Sequence, residues 1–415
     1  MAGLLTLLAL PILGSTASAG ALTTPGAAAQ VSSRALSATP TTVQFPPTTL
    51  GDFSAFMNVT LQNTGTTTES VTSLTLGGAD PFDFIVGGQN TCTSLAAGAS
   101  CLVVVSFSPN ALGARQATLT PVDGSASPPV IVLTGTGSEG YYEVTATGAV
   151  FAHGDAQLLG DMSGTPLAKP IVGMAATGDD GGYWLVASDG GIFSFGDATF
   201  FGSTGAIHLN KPIVGMAPYS DPTTGKVTGY WLVASDGGIF TFGAAPFFGS
   251  TGAIHLNQPI VGMAPTPDGG GYWLVASDGG IFTFGDATFF GSTGAIHLNK
   301  PIVGMASTSD GGGYWLVASD GGIFTFGDAT FFGSTGAIHL NKPIVGMSPT
   351  PDGGGYWLVA SDGGIFTFGD APFDGSSAGS SASAFIGMAG DGAPFVPTSS
   401  AKASFSRGQS RHRPA

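Results

Sequence analysis

Four histidines occur at equivalent places in a repeated Ile-His-Leu-Asn tetrapeptide. They are His208, His255, His297 and His339. Imidazole is a common ligand of zinc, but several imidazoles bind one ion only when their nitrogens converge to about 2 Å from it. Copies of a residue in successive repeats converge only near a shared axis, and this tetrapeptide lies in a segment that connects one repeat to the next. We therefore interpret the histidines as turn or packing residues and predict no metal.

A second recurring group is the aspartate of a Ser-Asp-Gly-Gly tetrapeptide. It occurs as Asp189, Asp236, Asp278, Asp320 and Asp362. Aspartate before glycine favours a tight turn, whereas calcium takes about six to eight oxygen ligands and glycoside hydrolysis needs paired carboxylates. One carboxylate per turn supplies neither. The sequence also has no GxSxG, HExxH, GxGxxG phosphate loop or paired CxxC motif in a suitable setting, so it predicts neither an enzyme nor a cofactor.

The chain has two cysteines, Cys92 and Cys101, in the segment CTSLAAGASC. Their spacing is not that of a CxxC redox pair. We predict a structural disulfide that closes the turn before the strand CLVVVSFSP, since such bonds are typical of secreted domains. Closing so short a loop contributes about 2.5 to 3 kcal/mol by the chain-entropy estimate.

The composition indicates a folded, all-β chain. Of 415 residues, 68 are glycine, 43% are hydrophobic and only 9% are charged. The apolar fraction argues against disorder over most of the length, and the glycines suit many tight turns. The net charge of −15 would repel phosphate backbones, which excludes nucleic acid as a partner.

The two ends differ from the rest of the chain. Residues 1–19 carry the apolar run Leu4 to Leu13 and end in Ala17-Ser18-Ala19, which has the form of a secretory signal peptide. No later stretch is long and apolar enough to span a membrane, so we expect an extracellular or cell-surface protein. We interpret residues 20–40 as a flexible linker. Residues 398–415 are interpreted as a disordered basic tail, with contact to an acidic cell-wall polymer as the alternative.

Residues 41–137 consist of short alternating runs such as FMNVTLQN, SVTSLTL and PVIVLTG, separated by turn residues. Six or seven strands without a helical period predict an immunoglobulin-like β-sandwich.

Residues 138–397 form a repeat. Its tryptophans, Trp184, Trp231, Trp273, Trp315 and Trp357, are 47, 42, 42 and 42 residues apart. A period of about 40 to 45 residues that contains four short strands is typical of a β-propeller blade. In each unit YWLVAS and GIFTF flank Asp-Gly-Gly, which favours a hairpin. Both faces of YWLVAS are apolar, as expected for sheets that stack on both sides.

Linker lengths place PIVGM in one blade with the hairpin that follows it. The full blades are then roughly 171–203, 213–250, 260–292, 302–334 and 344–375. A lone hairpin at 140–156 and a lone strand at 385–388 remain, and their pairing would complete a sixth blade. Seven blades, with APFVP at 393–397 as a further strand, or a ring closed by a second chain, are the alternatives.

Two parts of the chain resemble known families. Asn63-Thr64-Gly65, the Cys92 and Cys101 pair, the segment from Val103 to Pro109, and Leu133-Thr134-Gly135-Thr136-Gly137 are similar to the hydin-like, or choice-of-anchor D, immunoglobulin domain. This resemblance implies an accessory or spacer module of secreted bacterial proteins. The repeat, with GYWLVASDGGIF and PIVGM, resembles tandem propeller-type repeats of secreted actinobacterial proteins, which implies no activity.

These observations predict a secreted, non-enzymatic surface or interaction protein that binds a protein or an extracellular or cell-wall glycan. Units three to five are nearly identical through FGDATFFGSTGAIHLN, which suits multivalent binding; recent duplication explains the same identity. A lectin-like propeller is the first alternative, with Phe290, His297 and Asn299 as candidate ligand-binding residues beside the other three histidines. A propeller hydrolase acting on carbohydrate is the second.

Overall fold

The computed structural model describes residues 36–87, 92–123, 127–178 and 181–390, and these residues are all-β. Their single helical element is a 3-10 turn at Pro81–Asp83, and their strands form nine sheets. No helix in these ranges has the length and apolar character that a membrane crossing requires. The signal-peptide prediction for 1–19, the strand alternative at 393–397 and the tail at 398–415 lie outside the described residues.

Residues 36–138 contribute eleven strands: β1 (Leu36–Thr39), β2 (Thr42–Gln44), β3 (Thr48–Thr49), β4 (Met57–Asn63), β5 (Glu69–Ser70), β6 (Ser73–Gly78), β7 (Phe84–Val86), β8 (Ser94–Leu95), β9 (Ser100–Phe107), β10 (Gly113–Val122) and β11 (Ile131–Ser138). One sheet has the order β1-β4-β9-β7, and a second has the order β2-β11-β10-β6 with β3 also paired to β11. Val59 and Leu61 of β4 are buried while their neighbours are exposed, the period-two pattern of a strand with one face on a core. Both sheets contribute to that single core.

The first strand begins within the segment that the sequence assigned to a linker. Residues Leu36–Thr39 of β1 pair with Asn63 to Thr60 of β4, and Ala38 is buried. The Ala, Ser, Thr and Pro composition of residues 20–40 hides this short strand, which is held by backbone pairing and by Leu36 and Ala38 packing against the core. The linker interpretation therefore fails for Leu36–Thr39.

The disulfide prediction is confirmed. The sulfurs of Cys92 and Cys101 are bonded, and the two Cα atoms are 5.2 Å apart. The bond ties β9 to the chain before β8, and both cysteines belong to the core. A buried disulfide is typical of proteins that fold outside the cytoplasm.

Residues 141–390 contribute eighteen strands: β12 (Tyr141–Thr145), β13 (Val150–His153), β14 (Ile171–Ala176), β15 (Gly182–Ala187), β16 (Ile192–Gly196), β17 (Ile213–Ser220), β18 (Val227–Ala234), β19 (Ile239–Gly243), β20 (Ile260–Pro265), β21 (Gly271–Ala276), β22 (Ile281–Gly285), β23 (Ile302–Ser307), β24 (Gly313–Ala318), β25 (Ile323–Gly327), β26 (Ile344–Pro349), β27 (Gly355–Ala360), β28 (Ile365–Gly369) and β29 (Phe385–Gly390). They form six antiparallel sheets of three strands each. The orders are β13-β12-β29, β14-β15-β16, β17-β18-β19, β20-β21-β22, β23-β24-β25 and β26-β27-β28.

The predicted grouping of PIVGM with the following hairpin is confirmed, but each sheet has three strands where the sequence predicted four. The segment after the third strand, Ala287 to Ser292 in the third full unit, forms no ladder. Gly291 has φ 140, and its carbonyl accepts a hydrogen bond from the Tyr314 hydroxyl of the next unit at 2.6 Å. Phe290 lies against the same Tyr314 ring. The segment is irregular because it fills the gap between two sheets.

The two apolar faces of the middle strand pack against two different sheets. Trp273 and Val275 of β21 share a core with Tyr314, Leu316 and Ala318 of β24. The opposite face of β21 packs in the same way on the preceding sheet. Trp273 and Tyr314 are each at most 1% exposed. Burial on both sides, as predicted, explains why these strands lack the polar alternation of β4.

The PIVGM strand of each full sheet, and the equivalent strand β29 of the remaining sheet, contact one another in a closed series. Contacts join β14 to β17, β17 to β20, β20 to β23, β23 to β26, β26 to β29, and β29 back to β14. The last step depends on β29 lying beside β12, where Tyr142 pairs with Ala389 and Thr145 with Phe385. The predicted pairing of the two ends of the repeat region is thereby confirmed.

Candidate functional site

The four copies of the Ile-His-Leu-Asn segment lie at the same end of their sheets, each beside a Ser-Asp-Gly-Gly turn. In the third full unit Thr293 precedes it, and the Thr293 hydroxyl donates to the Asp278 carbonyl at 3.0 Å. Ile302 N, just after the segment, donates to Ser277 O at 2.9 Å. These bonds hold the segment on the turn of its own unit, and the sequence repeats the same bonding residues in the neighbouring units.

The segment exposes some side chains and buries others. His297 and Asn299 are exposed, and Ile296 is 58% exposed, while Leu298 packs against the core between two sheets. The same exposed residues recur in three further copies: Ile207, His208 and Asn210; Ile254, His255 and Asn257; Ile338, His339 and Asn341. The structure thus has four nearly identical exposed segments.

The four histidines do not meet. No group of three or more His, Cys, Asp or Glu residues in the described ranges has the geometry to hold a metal ion. Each histidine remains with its own unit as a surface residue.

Phe290, a predicted ligand-binding residue, is less exposed than its neighbour Phe289. Its ring is half-buried, with centroids 6.5 Å from Trp273 and 5.7 Å from Tyr314. The preceding Phe289 is 57% exposed. Adjacent residues of an extended chain point to opposite sides, so the doublet Phe289-Phe290 has one buried and one exposed ring. The sequence did not show which ring is the more exposed, and ligand binding by Phe290 stays a prediction.

The Ser-Asp-Gly-Gly aspartates have the turn role that was predicted. Asp278 Oδ1 accepts from the Gly280 amide at 2.9 Å, and Gly279 between them has φ 75. The equivalent carboxylates, Asp189, Asp236, Asp320 and Asp362, accept from the amides of Gly191, Gly238, Gly322 and Gly364. These side chains are occupied by the turn itself.

A second set of aspartates, which the sequence reasoning missed, lies at the opposite end of the sheets. Asp310 Oδ1 accepts from the Gly312 amide at 3.0 Å, and the Thr308 hydroxyl donates to Asp328 Oδ1 at 3.3 Å. Hydrogen bonds from Gly312 and Thr308 hold the pKa of Asp310 below its ordinary value. Partial burial, and then the charge of Asp310, raise the pKa of Asp328.

The same arrangement occurs with Thr266, Asp268 and Asp286 and with Thr350, Asp352 and Asp370. A cleft of about 270 Å³ lies between two successive copies, lined by Asp268, Trp273, Asp286, Ser309 and Asp310. These aspartate pairs could have been found in the sequence, because TPDGGG or TSDGGG recurs together with FGDA in the same units. The second full unit breaks the pattern, since it has Ala244 in place of the second aspartate. Because the first carboxylate of each pair is bonded within its own turn and the second to the threonine of that turn, we interpret the pairs as turn elements.

One polar cluster breaks the repeat. Glu143, fully buried, accepts from His153 Nε2 at 2.8 Å and from the Ser377 amide at 2.9 Å through the same carboxylate oxygen. Ser377 Oγ also lies 2.9 Å from His153 Nε2. In a catalytic triad the acid and the serine bind different ring nitrogens. Here both approach Nε2, and Ser377 is 4% exposed, so the cluster lacks the arrangement of a nucleophilic site.

The sequence matches no described protein family and none of the curated proteins. Among solved structures, the chain is similar to a protein of unknown function from Bacteroides thetaiotaomicron VPI-5482, with 13% identity, a TM-score of 0.46, and coverage of 88% of this chain and 94% of the other. It is also similar to the ASH or PapD-like domain 7 of human CEP192, with 18% identity, a TM-score of 0.19, and coverage of 30% of this chain and 97% of that domain.

Proposed function

We propose that residues 138–390 form a six-bladed β-propeller and that the protein is a secreted, non-enzymatic interaction protein. Two observations support the propeller: the closed series of contacts from β14 through β29 and back, and the burial of both faces of each middle strand. Pairing of β12 with β29 would close the ring, and it gives β12 a partner on both sides, so that β12 is not an exposed edge strand.

The preceding two sheets form, in this proposal, an immunoglobulin-like module of the hydin-like or choice-of-anchor D type. The disulfide between Cys92 and Cys101 and the signal-like residues 1–19 both support export to an oxidising compartment. The module would act as a spacer that carries the ring at a cell surface. Its short aliphatic strands and single aromatic core cluster of Phe45, Phe84 and Phe107 fit a structural role.

The observation that carries the binding function is the fourfold recurrence of the exposed Ile-His-Leu-Asn segment at one end of the sheets. Identical sites held at fixed spacing bind a repetitive partner more tightly than one site does, because each later contact forms at a high effective concentration. A cell-wall polymer or a densely arrayed surface protein has the required repetition. A single asymmetric active site would not require four copies of one surface.

The test is binding of the purified chain to isolated cell-wall fractions. We replace the exposed histidine and asparagine by alanine in one, two and four units, beginning with His297 and Asn299. Apparent affinity is expected to fall stepwise, by more than tenfold for the fourfold variant. The matched control is Lys226→Ala, an exposed residue on a turn at the other end of the sheets. Equal binding by all variants would refute the proposal.

A lectin-like function is the second candidate, favoured by five exposed phenylalanines at equivalent places. They are Phe200, Phe247, Phe289, Phe331 and Phe373, each 57% to 62% exposed. An exposed ring offers a flat apolar surface to the carbon face of a sugar. Binding on a glycan array that is lost on Phe→Ala substitution at these positions supports this candidate, and release of reducing sugar from the same glycans would instead support the hydrolase alternative.

A further inference from the structure

Three departures from the repeat coincide at one place in the structure. Glu143 occupies the position of a buried leucine, His153 that of a phenylalanine, and Ser377 that of a threonine. The corresponding residues in the third full unit are Leu274, Phe284 and Thr293. Glu143 and His153 belong to the first hairpin, whereas Ser377 lies in the loop after the last full sheet, so the three meet only where the two ends of the repeat region come together.

The contacts among these residues cross that junction, which we call the seam (β12, β13, β29 and residues 370–384). Glu143 Oε2 accepts from His153 Nε2 at 2.8 Å and from the Ser377 amide at 2.9 Å. Near them the Tyr141 hydroxyl donates to Gly375 O at 2.6 Å. Every other junction between sheets is apolar at the leucine position, so the seam has a bonding pattern of its own.

A buried carboxylate is costly unless it is paired or protonated. The Glu143 side chain is 0% exposed, and its Oε1 atom has no hydrogen-bond partner in the described part of the chain. Its register partner on β29 is the apolar Met388, which shares a core cluster with Val359 and Ile365 of the preceding sheet. His153 is the one basic side chain that the described residues pair with this carboxylate.

Other titratable groups surround the pair without contacting Glu143 Oε1. Tyr141 is on the same strand, and burial raises the pKa of Tyr141 to about 12. Burial, and then the charge of Asp155, raise the pKa of Asp374, which lies in the loop before Ser377. Asp155 accepts from the hydroxyls of Thr49 and Ser138 at 3.0 and 2.6 Å. These neighbouring groups are all acids, so none of them can supply a positive charge to balance an ionised Glu143 carboxylate.

We propose that Glu143, His153 and Ser377 form a pH-sensitive latch that holds the first hairpin against the end of the last repeat. The open seam exposes Glu143 to water, whereas the closed seam buries its carboxyl beside His153 and the Ser377 amide. Closure is then favoured when the Glu143 carboxyl is protonated. A rise in pH leaves a negative charge buried in the closed seam.

The direction follows from the titration of Glu143. Burial raises the pKa of the Glu143 carboxyl above its ordinary value of 4.5, although hydrogen bonds from Ser377 and His153 lower it in part. The closed seam thus binds a proton more readily than the open one. Its stability is fully present below pH 4.5 and is lost as the pH rises through the raised pKa.

Hydrogen exchange of the full chain, followed by mass spectrometry between pH 5 and 8, tests the latch. The opening constant of the seam peptides containing β12 and β29 is divided by that of β24, which has Leu316 and Phe326 at the equivalent positions. This ratio removes the intrinsic pH dependence of exchange. In the native chain we expect this ratio to rise by more than about twofold with pH, because the closed seam binds a proton more readily than the open one.

Two variants separate the latch from a merely structural cluster. The triple variant E143L/H153F/S377T restores the residues of the other units, and its ratio is expected to stay within about twofold over the same pH range. E143Q keeps the shape of the side chain without a titrating carboxyl, and it serves as the second test should the triple variant fail to fold. A native ratio independent of pH, or an E143Q ratio that rises as steeply as the native one, overturns the proposal.

Discussion

The hydroxyl of Tyr314 joins two neighbouring sheets, and its removal gives a quantitative test of how the repeat is held together. It donates to Gly291 O at 2.6 Å and accepts from the amides of Phe290 and Gly291 at 3.2 and 3.1 Å. The ring is fully buried. In Tyr314→Phe the ring packing remains, but buried backbone groups lose their partner. A buried unsatisfied group costs about 1 to 3 kcal/mol, so we expect the free energy of unfolding to fall by about 2 kcal/mol.

Urea denaturation measures this loss as a lower midpoint at an unchanged slope. The matched control is Tyr219→Phe, which removes a hydroxyl from a tyrosine that packs edge-on against Trp231 and lies outside the repeated tyrosine position. The control should cost less than about 0.5 kcal/mol, as most changes away from buried polar contacts do. If Tyr314→Phe and Tyr219→Phe unfold at the same urea concentration, the hydroxyl bridge does not hold the sheets together.

Three further predictions concern other parts of the chain. Trp315→Ala should lower the free energy of unfolding by about 3 to 5 kcal/mol, measured by urea denaturation, because Trp315 fills the core between two sheets; a loss below about 1 kcal/mol would contradict that packing. Replacing Cys92 and Cys101 together by alanine should lower the free energy of unfolding by about 2 to 3 kcal/mol, because the cross-link that closes a loop with a sequence separation of 9 is lost. Limited proteolysis should show new cleavage within residues 36–138 while the repeat stays resistant. Asp328→Asn should raise the melting temperature at pH 7 relative to the native chain and have little effect near pH 4. The reason is that the pKa of Asp328 is raised in the folded state, so its ionisation weakens the fold as the pH rises. An equal shift of the melting temperature at both pH values would exclude a charge effect.

Much of the repeat could be predicted from local pattern. Asp278-Gly279-Gly280 dictates a hairpin because the side chain binds an amide two residues on and the first glycine takes positive φ. The alternation of Tyr, Leu and Ala with Trp and Val makes both faces of the strand apolar and so requires a neighbour on each side. The pairing of the two ends followed from counting which strands were left over.

Contacts between distant residues could not be predicted in the same way. Ser377 lies 234 residues from Glu143, and no local signal connects the two. Thr308 and Asp328 are 20 residues apart, and they meet only because the turn and the third strand end at the same edge. The identity of the exposed ring in Phe289-Phe290 depends on the position of the next sheet, which a single unit does not specify.

The pairing of the first and last described segments of the repeat region in one sheet has a mechanical consequence. Tyr141, where the repeat region begins, lies directly opposite Gly390, where the described chain stops. Tension applied through these two points would pull β12 and β29 apart from that edge, so their hydrogen bonds would rupture one after another instead of sharing the load. The other five sheets would carry no force until this one had opened. Stretched between these two points, the repeat region would therefore yield first at the sheet that β12 and β29 share, and a single-molecule trace would show a small early step before any larger extension.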